Sequence, residues 1–308
     1  MNAFCIFDDF PSDCVRRLEE TGINVTMVEK GQARPTDLEM MSIFEKYEVV
    51  IIGTSQKIYE WMWKNVTHRR IVATASVGTD HITVPKDKED LLTILNAPLA
   101  NSQSVGEYTV GAMLMTRKRF WEGNALYAEG RNNKNLLQKP EDIHGTTVGL
   151  IGAGCISTKI MELLKPFGVR FLCYTKNPNH HVNLTEKFGT EFVDLETLAE
   201  KSDIISVNVP YDTSTENLIN ASLIAKMKKT CIFISIARAQ VLDVPALIER
   251  AEKEPNFYVV LDLDVISECV GKNNGRNIVL TPHIAGGTIE TRKRMFSEVT
   301  ERLIKDVN

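Results

Sequence analysis

The 308-residue sequence predicts a parallel α/β protein of two domains, and three observations carry that prediction. Short apolar runs alternate with amphipathic stretches along the chain, as in sheets whose strands are joined by covering helices. This alternation occurs in two series, with a long helical stretch between them. The length also exceeds what a single hydrophobic core usually serves, so the two series read as two domains.

In the first series, residues 4–7, 25–28, 49–52, 71–74 and 92–95 are apolar runs of strand length. Ser12 is expected to cap the first helix and Gly22 to end it. The fifth run leads into Asn96-Ala97-Pro98. From Ser102 to about Arg119, the residues Val105, Tyr108, Thr109, Ala112, Met113 and Met115 recur mostly at helical spacing. This segment reads as a long buried helix connecting the domains, in which Gly106 and Gly111 permit close backbone approach. Residues 129–142, rich in Asn, Lys and Gln, read as a loop. The second series places strands at 147–151, 169–174, 204–209, 231–236, 259–263 and 277–280, the last running into Thr281-Pro282-His283.

Composition narrows the function classes. A net charge of −4 with no block of one sign argues against a nucleic-acid surface, which needs a concentrated basic stripe. Arg292-Lys293-Arg294 falls on a helical pattern and reads as a solvated face. Residues 1–9 lack a basic leader and a small-residue cleavage site, so a buried first strand is expected and not a signal peptide. No apolar run approaches the roughly 18 residues of a membrane span. The six cysteines are scattered without a CxxC pair, which implies a reducing, cytoplasmic setting, no disulfide framework and no metal site.

The first motif with chemistry is Gly149 to Ser157, which follows a strand and opens a helix. Gly152 permits a tight turn and Gly154 lets the backbone approach a pyrophosphate, with Cys155 and Ile156 opening the helix. Ser157 stands where a third glycine is usual, and is small enough for close helix–strand packing. A Rossmann-type dinucleotide site is therefore expected. An NAD-specific site ends its second strand with a carboxylate for the ribose 2′-hydroxyl. Here that strand runs into Thr175, Lys176 and Asn177, which suit a 2′-phosphate, so NADP is expected in preference to NAD.

Three later segments are Ile234 to Ala239, containing Arg238; Leu261 to Glu268, containing Asp262 and Asp264; and Thr281 to Thr288, containing His283. With them the chain resembles, over nearly its full length, the D-isomer-specific 2-hydroxyacid dehydrogenase family. Ser76-Val77-Gly78-Thr79-Asp80-His81-Ile82 is similar to the family's substrate loop. Asn96-Ala97-Pro98 through Glu107, Val207-Asn208-Val209-Pro210, Thr215 and Lys226-Met227-Lys228 follow in the family's order. The resemblance implies a Rossmann cofactor domain, residues 99–286, inserted in a flavodoxin-like substrate domain, residues 1–98 and 287–308. It implies an active site in the cleft between them, hinges near Pro98 and Gly286-Gly287, and a homodimer packed through the cofactor domain. It adds Val209, Pro210, Thr215, Ile236, Ala237, Asp262 and Gly286 to the cofactor-binding set, and Ser76, Val77 and Gly78 to the substrate site.

The implied reaction moves hydride between a nicotinamide and a small 2-oxo or D-2-hydroxy acid. Arg238 offers a fixed fork of donors for carboxylate and carbonyl oxygen. His283 can give or take the proton near neutral pH. Glu268 is expected to hold the far imidazole nitrogen, although it stands one residue out of the family's register, lacks the following proline, and has Asp264 and Asp262 as alternatives. Ala239 replaces the family's usual glycine after the arginine. The displaced glutamate leaves open a second class, a nucleotide-sensing binding protein on the same fold with little turnover. A formate-type enzyme is disfavoured because residues 262–270 contain no glutamine.

Overall fold

A computed structural model describes residues 1–136 and 138–308, and the chain divides into two compact units. Unit 1 is Met1–Asn101 with Thr288–Asn308, and unit 2 is Ser102–Gly287. The crossings fall slightly later than the sequence bounds, after Asn101 and after Gly287.

Unit 1 contains β1 (Asn2–Cys5), α1 (Ser12–Glu19), β2 (Asn24–Met27), α2 (Asp37–Lys46), β3 (Val49–Ile52), β4 (Arg70–Thr74) and β5 (Leu92–Leu95). Its parallel strands lie in the order β2-β1-β3-β4-β5, the flavodoxin-like order. Ser12 is the first helical residue and Pro11 the cap, because Pro11 is still extended while its fixed φ leads the chain into the helix. Gly22 follows with a φ of 82°, as a chain-reversing glycine should. All four residues of β3 are buried, the signature of a central strand covered on both faces.

Unit 2 opens with α3 (Ser102–Arg117) and α4 (Phe120–Ala128), then β6 (Thr147–Ile151), α5 (Cys155–Leu164), β7 (Arg170–Tyr174), α6 (Val182–Phe188) and β8 (Glu191–Phe192). It continues with α7 (Leu195–Lys201), β9 (Ile204–Val207), α8 (Ala221–Lys226), β10 (Ile232–Ser235), α9 (Val244–Lys253), β11 (Tyr258–Asp262) and β12 (Ile278–Thr281). The chain then re-enters unit 1 as α10 (Ile289–Val307). The sheet order β12-β11-β10-β9-β6-β7-β8 is parallel throughout and reverses direction between β6 and β9. Strand periodicity splits its core in two: Phe233, Val259 and Leu261 face one cluster, and Ile232, Ile234, Tyr258 and Val260 the other.

The expected helix 102–119 is shorter than its pattern suggested. Arg119 takes a left-handed φ of 55° and its guanidinium lies 4.2 Å from the Tyr258 ring centre, which breaks the chain between α3 and α4. The expected loop 129–142 includes a short turn of helix, Asn133–Asn135, and Leu137 within it lies outside the described residues. All six cysteines are free thiols, and burial pushes Cys5, Cys173 and Cys231 up to about 12. Among the described residues no helix is long and apolar enough to cross a membrane.

Candidate active site

The dinucleotide turn sits at the switch point of the larger sheet, where β6 and β9 diverge. Gly152 follows β6 with a φ of 102°, and a Cβ there would meet Asn208 O and Val209 Cγ1, each at 3.0 Å. Both its conformation and the close approach of the β9 end require glycine. Gly154 caps α5 without any side-chain bond, and a Cβ on it would meet nothing within 4 Å. The open space before an uncapped helix start fits a pyrophosphate. Cys155, which is exposed, and Ile156 form the first turn of that helix. Ser157 does more than save space: its hydroxyl donates to Gly152 O (2.6 Å) and accepts from Asn208 Nδ2 (3.1 Å), tying the turn to the end of β9.

Val209 and Pro210 lead from β9 into a loop that Thr215 closes. The Thr215 hydroxyl donates to Pro210 O (2.8 Å) and accepts from Asp212 N (2.8 Å), so it shapes the loop from a buried position. Beyond β7, Thr175, Lys176 and Asn177 stand without a carboxylate among them. Lys176 Nζ donates to Ser214 Oγ, and Asp212 accepts from Ser214 N (2.7 Å) and its hydroxyl. Those Ser214 bonds hold the Asp212 carboxyl below its usual range, with the charge of Lys176 adding to them.

Three residues meet just beyond the C-terminal ends of β10, β11 and β12, on the same edge of the sheet as the turn. Arg238 follows β10 after Ile236 and Ala237, whose backbone N–H is pinned by Ser235 Oγ at 3.2 Å. Its Nη1 donates to His283 Nε2 at 3.1 Å. An arginine can only donate, so Nε2 accepts, and Nδ1 carries the ring proton and donates to Asp264 Oδ1 at 2.9 Å. His283 has a φ of 53°, costly for a residue with a Cβ and found where surroundings impose it.

Asp262 is what imposes it. This carboxylate, 2% exposed, accepts from Thr281 Oγ1 (2.6 Å), Ile284 N (2.8 Å) and Ala285 N (2.8 Å), clasping the turn on both sides of His283. Tyr108 extends the chain: its hydroxyl donates to Thr281 Oγ1 at 2.6 Å, and its burial pushes its own pKa up. Gly286 continues the clasped turn. Sequence reasoning placed Asp262 among cofactor contacts and missed Tyr108, which stands 173 positions before Thr281. Nothing in a single sequence links residues so far apart.

The expected partner of His283 requires correction. Glu268 lies exposed in the turn Ser267–Cys269 and bonds the Ser267 hydroxyl at 2.9 Å. Its own backbone N–H and then that hydroxyl hold its carboxyl below the usual range. Asp264, two residues beyond β11, takes the place at Nδ1 because the chain leaves the strand there beside the clasped turn.

In unit 1, Ser76, Val77 and Gly78 form a tight loop after β4. Ser76 is 2% exposed, and its hydroxyl donates to Gly78 O at 2.7 Å.

Comparison with known proteins shows which family the chain falls in. The family model for the D-isomer specific 2-hydroxyacid dehydrogenase, NAD binding domain, matches residues 110–285. A glyoxylate reductase of Thermofilum pendens is 33% identical over 290 residues, covering 91% of this chain and 84% of that one. A hydroxypyruvate reductase of Thermotoga maritima is 30% identical over 274 residues, covering 87% and 88%. An acyclic imino acid reductase, solved with NADPH and D-arginine, superposes with a TM-score of 0.83 at 22% identity over 98% of this chain and 96% of that one, a likeness of fold. The switch-point turn, the Arg238–His283 pair and these matches together show that the chain belongs to the D-isomer specific 2-hydroxyacid dehydrogenase family, whose enzymes transfer hydride between a nicotinamide dinucleotide and 2-oxo or 2-hydroxy acids.

Proposed function

We propose that this protein is an NADPH-preferring reductase of a small 2-oxo acid, with Arg238, His283 and Asp264 as its reacting constellation. The observation that carries the reading is the line Arg238–His283–Asp264, in which both ring nitrogens of His283 are engaged at 3.1 and 2.9 Å. Bound, the dinucleotide supplies the hydride. Gly152, Gly154, Cys155 and Ile156 would hold its pyrophosphate, and Thr175, Lys176 and Asn177 its 2′-phosphate. Val209, Pro210, Ile236, Ala237 and Gly286 are the neighbouring wall; Thr215 and Asp262 act from behind it.

Arg238 orients the substrate by holding its carboxylate and carbonyl oxygen in a two-point fork. His283 Nε2, the nitrogen that faces Arg238, then exchanges the proton with the carbonyl oxygen. Asp264 keeps the proton on Nδ1 and stabilises the charged ring from the far side. The backbone N–H groups of Val77 and Gly78 offer the substrate carboxylate further donors. A binding protein with little turnover was suggested only by the displaced glutamate, and Asp264 supplies that missing carboxylate. The same reading makes the protein a cytoplasmic homodimer, supported by its free thiols and its family resemblance.

The test is oxidation of NADPH by glyoxylate, hydroxypyruvate and pyruvate, with wild type beside His283→Ala. Loss of a catalytic acid lowers kcat by roughly two to four powers of ten while NADPH still binds. Wild-type turnover in the His283 variant would sink the mechanism, and silence of the wild type across the panel would sink the function.

A further inference from the structure

The substrate loop after β4 is held from behind by a network that the reaction itself does not use. Three successive carbonyls are anchored. Ser76 O accepts from Ala97 N at 2.8 Å, Val77 O from Asn96 Nδ2 at 2.6 Å, and Gly78 O from Ser76 Oγ at 2.7 Å. These peptides are trans, so each anchored carbonyl turns the next residue's N–H the opposite way. The donors so turned belong to Val77, Gly78 and Thr79, and among the described residues none of them is given to a protein acceptor.

Each anchor has its own support. Arg302, on α10, donates from Nη1 to Asn96 Oδ1 at 2.8 Å and to Asn96 O at 3.1 Å. That fixes the amide with its oxygen toward Arg302 and its NH2 toward Val77. Ser76 Oγ, which gives its proton to Gly78 O, accepts from Thr74 Oγ1 at 2.8 Å. Thr74 therefore accepts in turn from His81 Nε2 at 3.0 Å, which places a proton on that nitrogen. Thr74 and Ser76 are fully or almost fully buried, so this relay is shielded from competing water.

We infer that Asn96, Arg302 and the His81–Thr74–Ser76 relay are positioning residues that aim the Val77, Gly78 and Thr79 N–H groups at the substrate carboxylate, with Thr79 a third donor beside the two already named. This rests on the function proposed above. It explains why an arginine on the last helix matters to a loop it does not touch: Arg302 orients Asn96, and Asn96 sets the plane of the Val77–Gly78 peptide.

The test measures the affinity of oxamate, an unreactive mimic of a 2-oxo acid, for the full chain loaded with NADPH. Misaiming one amide that meets a carboxylate is expected to weaken oxamate about tenfold in Asn96→Ala. The exposed Arg302→Met keeps the side-chain stem, so folding is undisturbed; it is expected to weaken oxamate about threefold, a fraction of one charge-assisted bond. Arg302→Lys should fall between the two states. NADPH affinity stays at the wild-type value in all three, and KM for the oxo acid rises more than kcat falls. Oxamate affinity at the wild-type level in both Asn96→Ala and Arg302→Met overturns the inference and leaves the proposed function standing. A wild type that binds no oxamate overturns both.

Discussion

A proton-transferring imidazole is defined by what holds its other nitrogen, and at His283 that group is Asp264. The prediction at this scale separates Asp264 from Glu268. Asp264 accepts the Nδ1 proton and so fixes the tautomer and the plane of the ring. Asp264→Asn can turn its NH2 to that nitrogen and misplace the ring, so kcat for reduction should fall about tenfold, the worth of one hydrogen bond, while NADPH affinity is unchanged. Glu268→Gln should leave kcat in place. A loss of kcat in the Glu268 variant and none in the Asp264 variant would restore the glutamate. Arg238 and His283 were legible because each stands in a motif at a strand end. The choice between carboxylates was not, since three lie within residues 262–268 and only the path of the chain after β11 decides which one meets the ring. The clasp by Asp262 and Tyr108 was likewise hidden, being made of long-range bonds.

At the scale of elements, the residues with chemistry to offer stand at the ends of strands. The turn from β6 into α5 was readable because buried parallel strands are continuous apolar runs and the glycines interrupt them at the switch point. The two-residue β8 and the helix α4 were not, the first because an edge strand so short has no periodicity, the second because the break at Arg119 is set by a buried contact with Tyr258. The end of β7 yields a cofactor prediction. Lys176 donates to the Ser214 hydroxyl, and a 2′-phosphate would share its charge with the nearby Asp212 carboxylate. One charge-assisted contact contributes about 1.5–3 kcal/mol, enough for at least a tenfold preference in kcat/KM for NADPH over NADH. Thr175→Asp combined with Lys176→Ala should reverse the preference. Equal use of the two cofactors by the wild type would reduce Lys176 to an ordinary surface lysine.

For the whole molecule, the governing fact is that unit 1 is built from both ends of the sequence. Phe296 on α10 packs edge-on against Phe7 (5.0 Å between ring centres) and Phe10 (5.1 Å), and Val299 and Leu303 join the same core. Phe296→Ala should therefore destabilise unit 1 by about 3–5 kcal/mol. Calorimetry should show one transition lowered and a second unmoved, with NADPH affinity, a property assigned to unit 2, changed less than twofold below the first transition. A single transition that shifts as a whole would mean that the two units melt together. The two-domain division was legible from the doubled strand–helix pattern, but the return of the last helix rested on family resemblance, because its apolar stripe does not say which sheet it covers. That return also sets a timetable on the ribosome. The first hundred residues emerge lacking the helix that completes their core, and must wait while all of unit 2 is translated, roughly ten to forty seconds at ordinary elongation rates. The part of the chain that is born first is finished last, so its bare apolar surface is the stretch a chaperone would meet.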